Sequence, residues 1–270
     1  MTEPHGRREM RELLTRHEVA PRKPLGQHFL ADPNIVRKIV RLSGVSGDSQ
    51  VLEIGAGTGT LTRALAATGA RVIAYEIDAN LRPLLDETVG ELPNVEVRID
   101  DAANLDVQEL VGEWTLVANL PYNVGTPILL DLLRTAPAIG RFVVMVQREV
   151  ADRLTAEPGH KTYGLPTVVV DLYARARLAF SVPPQVFVPP PQVSSAVVEI
   201  SRQDEVPEEA VLALELAAGG FSQRRKMLRS SLKGVSEDPS QLCGDAGIDP
   251  TRRAESLTSS EWLALARAAG

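Results

Sequence analysis

An α/β fold with a mainly parallel sheet, followed by a small all-helical C-terminal domain, is predicted by three observations. Short apolar runs alternate with helical stretches between residues 50 and 146, a glycine-rich turn directly follows the first run, and beyond about residue 204 only helical patterns remain. The first run, QVLEI (50–54), leads into Gly55, Gly57 and Gly59, and TLTRALAAT (60–68) then has helical composition. RVIAYEI (71–77), a polar helical stretch to Val89, VEVRI (95–99) and WTLVANL (114–120) continue the alternation. A helix around PILLDLLRT (127–135) and the apolar run FVVMV (142–146) complete it, and later strands are expected at TVVVDLYARARLAF (167–180) and SAVVEI (195–200). In the C-terminal part, Thr258 stands three residues before Glu261, the spacing of a capping box. The expected organisation is a basic helical extension over 1–24, a main domain over 25–203 and a helical domain over 204–270.

Composition narrows the class. With 270 residues, 44% hydrophobic and 24% charged, the chain has enough apolar material for one large core and one small appended domain. No apolar run approaches the roughly 18 residues of a membrane span, and the start lacks a secretory stretch, so a cytoplasmic protein is expected. A single cysteine, Cys243, rules out an internal disulfide, and His5, His17, His28 and His160 have no metal-ligand spacing, so no metal is expected. The net charge of −6 conceals basic segments: residues 1–41 hold nine Lys/Arg against five Asp/Glu, and FSQRRKMLRSSLK (221–233) holds five and no acid.

The chemistry sits at the predicted strand ends. Glycines between a strand and a helix let the backbone approach a cofactor closely, a feature shared by dinucleotide enzymes, methyltransferases and plain tight turns. Glu76, ending the second strand of this unit, can accept both hydroxyl protons of a ribose. Asp101, at the next strand end, can accept from an adenine amine, an arrangement that points to S-adenosylmethionine (SAM) rather than to hydride transfer, although an Asp there can also simply cap its loop. Glu53 is suited to orienting the loop. At the fourth strand end, the Asn119 side-chain oxygen and the Leu120 carbonyl can each accept one proton of an exocyclic amine and align its lone pair. Pro121 fixes the turn and Tyr122 can stack on a base.

GQHFL, EIGAGTGTLT, YEID, NLPYN, QREVADRL, VFVPPPQVSSAVV, FSQRRKMLRSSL and GIDPTRRAESLT occur in that order, and together they resemble the KsgA (RsmA) family of ribosomal RNA adenine dimethyltransferases over nearly the whole chain. The resemblance implies a class I SAM-dependent methyltransferase fold, Rossmann-like, with a helical RNA-binding C-terminal domain. It implies dimethylation of two adjacent adenosines near the 3′ end of 16S rRNA in an immature small subunit, coupled to subunit maturation, by a monomer. Gln27, His28, Phe29, Leu30, Gly55, Ala56, Gly57, Glu76, Ile77, Asp101, Ala102 and Asn119 match cofactor-lining positions. Asn119, Leu120, Pro121 and Tyr122 match the target-amine motif, and Phe187 matches an aromatic that covers the other face of a flipped adenine. Arg224, Arg225, Lys226 and Arg229, with Arg22 and Lys23, match phosphate contacts that position RNA without reading its sequence.

The chain departs from the family pattern at Gln192 and Ser194, where Lys and Asp are usual, and at His28, often Asn. Three other readings remain open at this level: an Erm-type 23S rRNA methyltransferase conferring macrolide resistance, an RNA-binding assembly factor with secondary catalysis, and a DNA adenine methyltransferase.

Overall fold

The structure, a computed structural model, describes residues 4–270. Helix α1 (Arg7–Arg16) is followed by the short strand β1 (Phe29–Leu30) and helix α2 (Pro33–Ser43). Alternation then runs through β2 (Gln50–Ile54), α3 (Thr60–Ala66), β3 (Arg71–Glu76), α4 (Arg82–Val89), β4 (Val95–Ile99), β5 (Trp114–Asn119), α5 (Gly125–Thr135) and β6 (Ile139–Gln147). Helices α6 (Arg148–Leu154) and α7 (Leu165–Tyr173) precede β7 (Ala174–Val182), β8 (Phe187–Val188) and β9 (Ser195–Arg202). The remaining helices are α8 (Ala210–Ser222), α9 (Leu228–Ser231), α10 (Pro239–Asp245) and α11 (Ser259–Ala269).

Seven strands form one sheet in the order β4-β3-β2-β5-β6-β9-β7. The pairs β3–β4, β2–β3, β2–β5 and β5–β6 are parallel, and β9 runs antiparallel to β6. Strand order therefore reverses between β2 and β5, and a crevice at the carboxyl ends of parallel strands opens at such a reversal. Val51, Leu52, Val72, Ala74, Val117 and Val143 are fully buried, which fits runs of apolar residues covered on both faces.

Helix α2 shows why these segments take the forms they do. Asp32 accepts from the N–H groups of Asn34 and Ile35, Pro33 supplies the helical φ at the first turn, and Gly44 closes the helix in the left-handed region. Val36, Ile39 and Ser43 face inward at helical spacing. The expected capping box at α11 is present: Thr258 Oγ1 accepts from the Glu261 N–H, and the Glu261 carboxylate accepts from the Thr258 N–H.

Three segments add to or differ from the expectation. TVVVDLYARARLAF is not one strand: Pro166 at the first turn and a Thr167 hydroxyl that accepts from the Gly164 N–H start helix α7, and the β-branched run Val168–Val170 is buried on it. The strand preference of β-branched residues here loses to a helix start and to tertiary burial. The expected helical extension over 1–24 contains α1, whose Met10, Leu13 and Leu14 belong to the main core; residues 1–3 of that span lie outside the described residues. Finally, the chain divides into a unit running through Ala151 with Arg177–Ser201, and a second of Asp152–Ala176 with Arg202–Gly270, so a stretch expected in the main domain joins the helical one. Within the second unit α7, α8 and α11 pack on one another. Among the described residues, no helix is long and apolar enough to cross a membrane.

Candidate active site

The carboxyl ends of β2, β3, β4 and β5 surround one cavity. All twelve residues expected to line a cofactor are in its wall, together with Leu120, Pro121 and Tyr122. The loop after β2 turns through Gly55 (φ +82°), Gly57 (+56°) and Gly59 (+75°), a region that disfavours side chains. Space adds to this at Gly57, where a Cβ would lie 3.1 Å from the Phe29 ring, and at Gly59, where it would lie 2.7 Å from the Thr88 hydroxyl. Small residues here let β1 and α4 close on the loop.

Glu76 holds this loop in place. One carboxylate oxygen accepts from the Gly57 N–H at 2.8 Å and the other from the Asp78 N–H at 2.9 Å. Burial pushes its carboxyl above the usual range, against the pull of those two donors. Asp101 Oδ1 caps its loop by accepting from the Ala103 N–H at 2.9 Å, and the side chain stays half-buried in the cavity wall. Glu53, which is 1% exposed, also reaches the cavity; its Oε2 has no hydrogen-bond partner, and burial together with the negative Glu76 pushes its carboxyl up to about 8.

Asn119 is the decisive side chain. Its Nδ2 donates to the His28 carbonyl at 3.1 Å, and because a carbonyl can only accept, the amide oxygen must turn the other way. That Oδ1 is buried and has no partner, a state that costs about 1–3 kcal/mol unless a ligand donor satisfies it. The neighbouring Tyr122 hydroxyl is 2.5 Å from the Ser195 hydroxyl, and its ring centroid is 5.2 Å from that of His28. Burial raises the Tyr122 hydroxyl above its usual value. His28 is itself oriented, since Nδ1 must donate to the Pro189 carbonyl at 2.8 Å.

The segment before β1 borders the same cavity. Gln27 donates to Asp78 at 2.9 Å and accepts from the Arg22 N–H, while the Asn123 amide donates to the Pro24 carbonyl at 2.6 Å. Gly26, at φ +65°, leaves the room this needs: a Cβ would be 3.2 Å from both Asn123 Oδ1 and the Tyr122 N. Thr58, Thr60, Tyr75, Asp100 and Ile128 line the cavity as well and carry no separate signal in the sequence beyond adjacency to the motifs.

Three expected site residues already have partners or packing within the protein. Phe187 is 0% exposed and is absent from the cavity wall; it pairs with Leu30 in the β1–β8 ribbon and belongs to the hydrophobic core. Arg224 is committed to its own unit, with Nε donating to Glu255 at 2.9 Å and Nη2 to the Lys161 carbonyl at 2.8 Å. Arg22 forms an ion pair of 3.3 Å with the nearly inaccessible Asp78. Arg22 is nevertheless exposed, as are Lys23, Arg225, Lys226 and Arg229. Among the described residues, no group of three or more His, Cys, Asp or Glu is placed to hold a metal ion.

The sequence profile of the family described as ribosomal RNA adenine dimethylase matches residues 19–269. The chain belongs to that family. It is 46% identical over 263 residues to the ribosomal RNA small subunit methyltransferase A of Phenylobacterium zucineum (strain HLK1), covering 96% of this chain and 92% of that one. It is 39% identical over 275 residues to the protein of the same name from Geobacillus thermodenitrificans (strain NG80-2), covering 96% and 94%. Among solved structures, a dimethyladenosine transferase from Plasmodium falciparum superposes with a TM-score of 0.70 at 25% identity, over 88% of this chain and 96% of that one. The 23S rRNA methyltransferase ErmE superposes with a TM-score of 0.66 at 26% identity, over 89% and 98%.

Membership in the dimethylase family makes this a SAM-dependent methyltransferase with the class I fold and ribosomal RNA as its substrate class. The residues present fit SAM. Two carboxylates stand at successive strand ends, the glycine turn keeps backbone at the cavity surface, and Asn119, whose buried Oδ1 has no partner, lines the same cavity.

Proposed function

We propose that the chain dimethylates the exocyclic amines of two adjacent adenosines near the 3′ end of 16S rRNA, acting as a cytoplasmic monomer on an immature small ribosomal subunit. The observation that carries this reading is the buried, partnerless Asn119 oxygen, fixed in direction by the His28 carbonyl. Identities of 39% and 46% to small-subunit enzymes across 96% of the chain support the choice of RNA.

In this reading Glu76 accepts from the cofactor ribose with its remaining lone pairs, and Asp101 accepts from the cofactor adenine with the oxygen that does not cap the loop. When bound, SAM supplies a methyl group made electrophilic by its sulfonium. An adenine amine is a weak nucleophile because its lone pair is drawn into the ring. Asn119 Oδ1 and the Leu120 carbonyl each accept one amine proton, favouring a pyramidal nitrogen whose lone pair points out of the base plane. Pro121 restricts the backbone that presents the Leu120 carbonyl, and Tyr122 stacks on the extruded base. The proton lost from nitrogen passes to solvent. No strong base is needed, because the cationic product amine is acidic. Arg225, Lys226, Arg229 and Lys23 hold RNA phosphates.

Transfer of labelled methyl groups to immature small subunits, large-subunit RNA and duplex DNA tests the reading. Dimethyladenosine at two adjacent small-subunit positions is expected, and label confined to large-subunit RNA or to DNA would overturn it.

A further inference from the structure

His5 lies far from the motifs in sequence but is 1% exposed and packed against the first residue of the helix that follows the glycine loop. Arg63 Nη1 donates to His5 Nε2 at 2.8 Å, and a guanidinium can only donate. Nε2 must therefore carry the lone pair, which leaves the proton on Nδ1. His5 Nδ1 is 3.2 Å from the Thr60 hydroxyl oxygen, so the imidazole donates there. Accepting from His5 leaves the Thr60 proton available to the Thr58 hydroxyl oxygen, 3.1 Å away. Thr58 and Thr60 are each 3% exposed, and both line the cofactor cavity. Donation thus runs from Arg63 through His5 to Thr60, and the Thr60–Thr58 hydroxyl pair carries this hydrogen-bond chain to the cavity wall.

We propose that His5 is a positioning residue for the cofactor: as a neutral Nδ1–H imidazole it sets the direction of the Thr60 and Thr58 hydroxyls, and its protonation disrupts that order and weakens cofactor binding. This rests on the SAM-binding reading of the cavity. A protonated ring has no acceptor at Nε2, so the Arg63 bond is lost and two cations face each other. The charged groups around the ring are Arg63 on α3, Glu9 on α1, whose carboxylate is 3.8 Å from Nε2, and Glu87 on α4. Burial first, and then the charge of Arg63, hold His5 below the usual histidine value, against the opposing pull of Glu9 and Glu87.

The test uses the full chain in two measurements. Nitrogen-detected NMR of the imidazoles, with His5 assigned by its loss in His5→Asn, is expected to show the Nδ1–H tautomer. SAM affinity is then titrated against pH for wild type, His5→Asn and His5→Phe. An asparagine amide can replace the Nδ1–H donor and does not titrate, so His5→Asn should bind within about twofold of wild type at pH 7.5. His5→Phe should bind roughly fivefold more weakly, the loss of one hydrogen bond. Below the usual histidine range wild type should lose affinity that His5→Asn retains. An Nε2–H tautomer, or pH profiles that coincide for wild type and His5→Asn, overturns the proposal. A wild type that binds no SAM sinks the functional reading instead, and the tautomer still decides the hydrogen-bond chain.

Discussion

The hydroxyls of Tyr122 and Ser195, 2.5 Å apart, join the loop after β5 to the first residue of β9. Ser195 is fully buried, so it cannot follow Tyr122 if the ring swings, and the hydrogen bond anchors the ring at the cavity wall. Ser195→Ala should therefore lower kcat roughly tenfold while leaving SAM affinity unchanged, the cost of removing one positioning bond near the reacting base. Tyr122→Phe should behave alike, and the double variant should be no worse than either single one. Steady-state kinetics with a titration of SAM binding check this; additive losses would show that the two hydroxyls act separately.

Asn119→Ala removes an acceptor needed as the amine changes geometry, and a drop in kcat of about 10²–10³ is expected, the scale of losing one preorganised polar group. SAM affinity should change far less. The substitution also frees the His28 carbonyl, so the His28–Tyr122 ring pair should loosen. Single-turnover rates against SAM dissociation constants separate these effects, and equal losses in both would contradict an amine-acceptor role.

Glu53 makes stability depend on pH in a definite direction. Its folded carboxyl near 8 lies above an ordinary value of 4.5, so the folded chain holds this proton more tightly than the unfolded chain. The stability it contributes is complete below about pH 4.5 and is lost as pH rises through 8. Glu53→Gln cannot ionise, so its Tm should exceed that of wild type at pH 9 by on the order of 5 °C, a margin that closes towards pH 5. Thermal unfolding of both chains from pH 5 to 9 reads this directly. A margin independent of pH would mean that Glu53 ionises without penalty.

Local pattern explains why so much of the cavity is legible in the sequence. QVLEI and VEVRI coincide with β2 and β4, and a residue at a strand end is placed by the sheet itself. Strand ends alone therefore bring Glu76, Asp101 and Asn119 to one cavity. What local pattern does not carry is the choice of tertiary partner. The motif around Phe187 does not reveal its pairing with β1 or its burial in the core. The Val168–Val170 run has strand composition, yet the Pro166 start and burial against α8 make it helical. Helix α2 has clear caps at Asp32 and Gly44, but no chemical motif marks them. His5 has no local signal, because its partners Thr60 and Arg63 are 55 and 58 residues away.

Basic residues in one motif should separate into two classes. Arg224 donates to Glu255 and to the Lys161 carbonyl, so Arg224→Ala should destabilise the helical unit by about 1 kcal/mol, the scale of a partly exposed ion pair with one further hydrogen bond. Arg225 and Lys226 are exposed in the turn after α8, where a cation gains little from the folded chain but reaches a phosphate freely. Replacing both by Ala should leave Tm nearly unchanged, weaken RNA binding and reduce the slope of log affinity against log salt by about 2, one for each phosphate that is no longer neutralised. Filter binding across a salt series, beside thermal unfolding, distinguishes the classes. An unchanged slope for the double variant would remove both residues from the RNA interface, and a normal Tm for Arg224→Ala would show that its bonds contribute nothing to the fold.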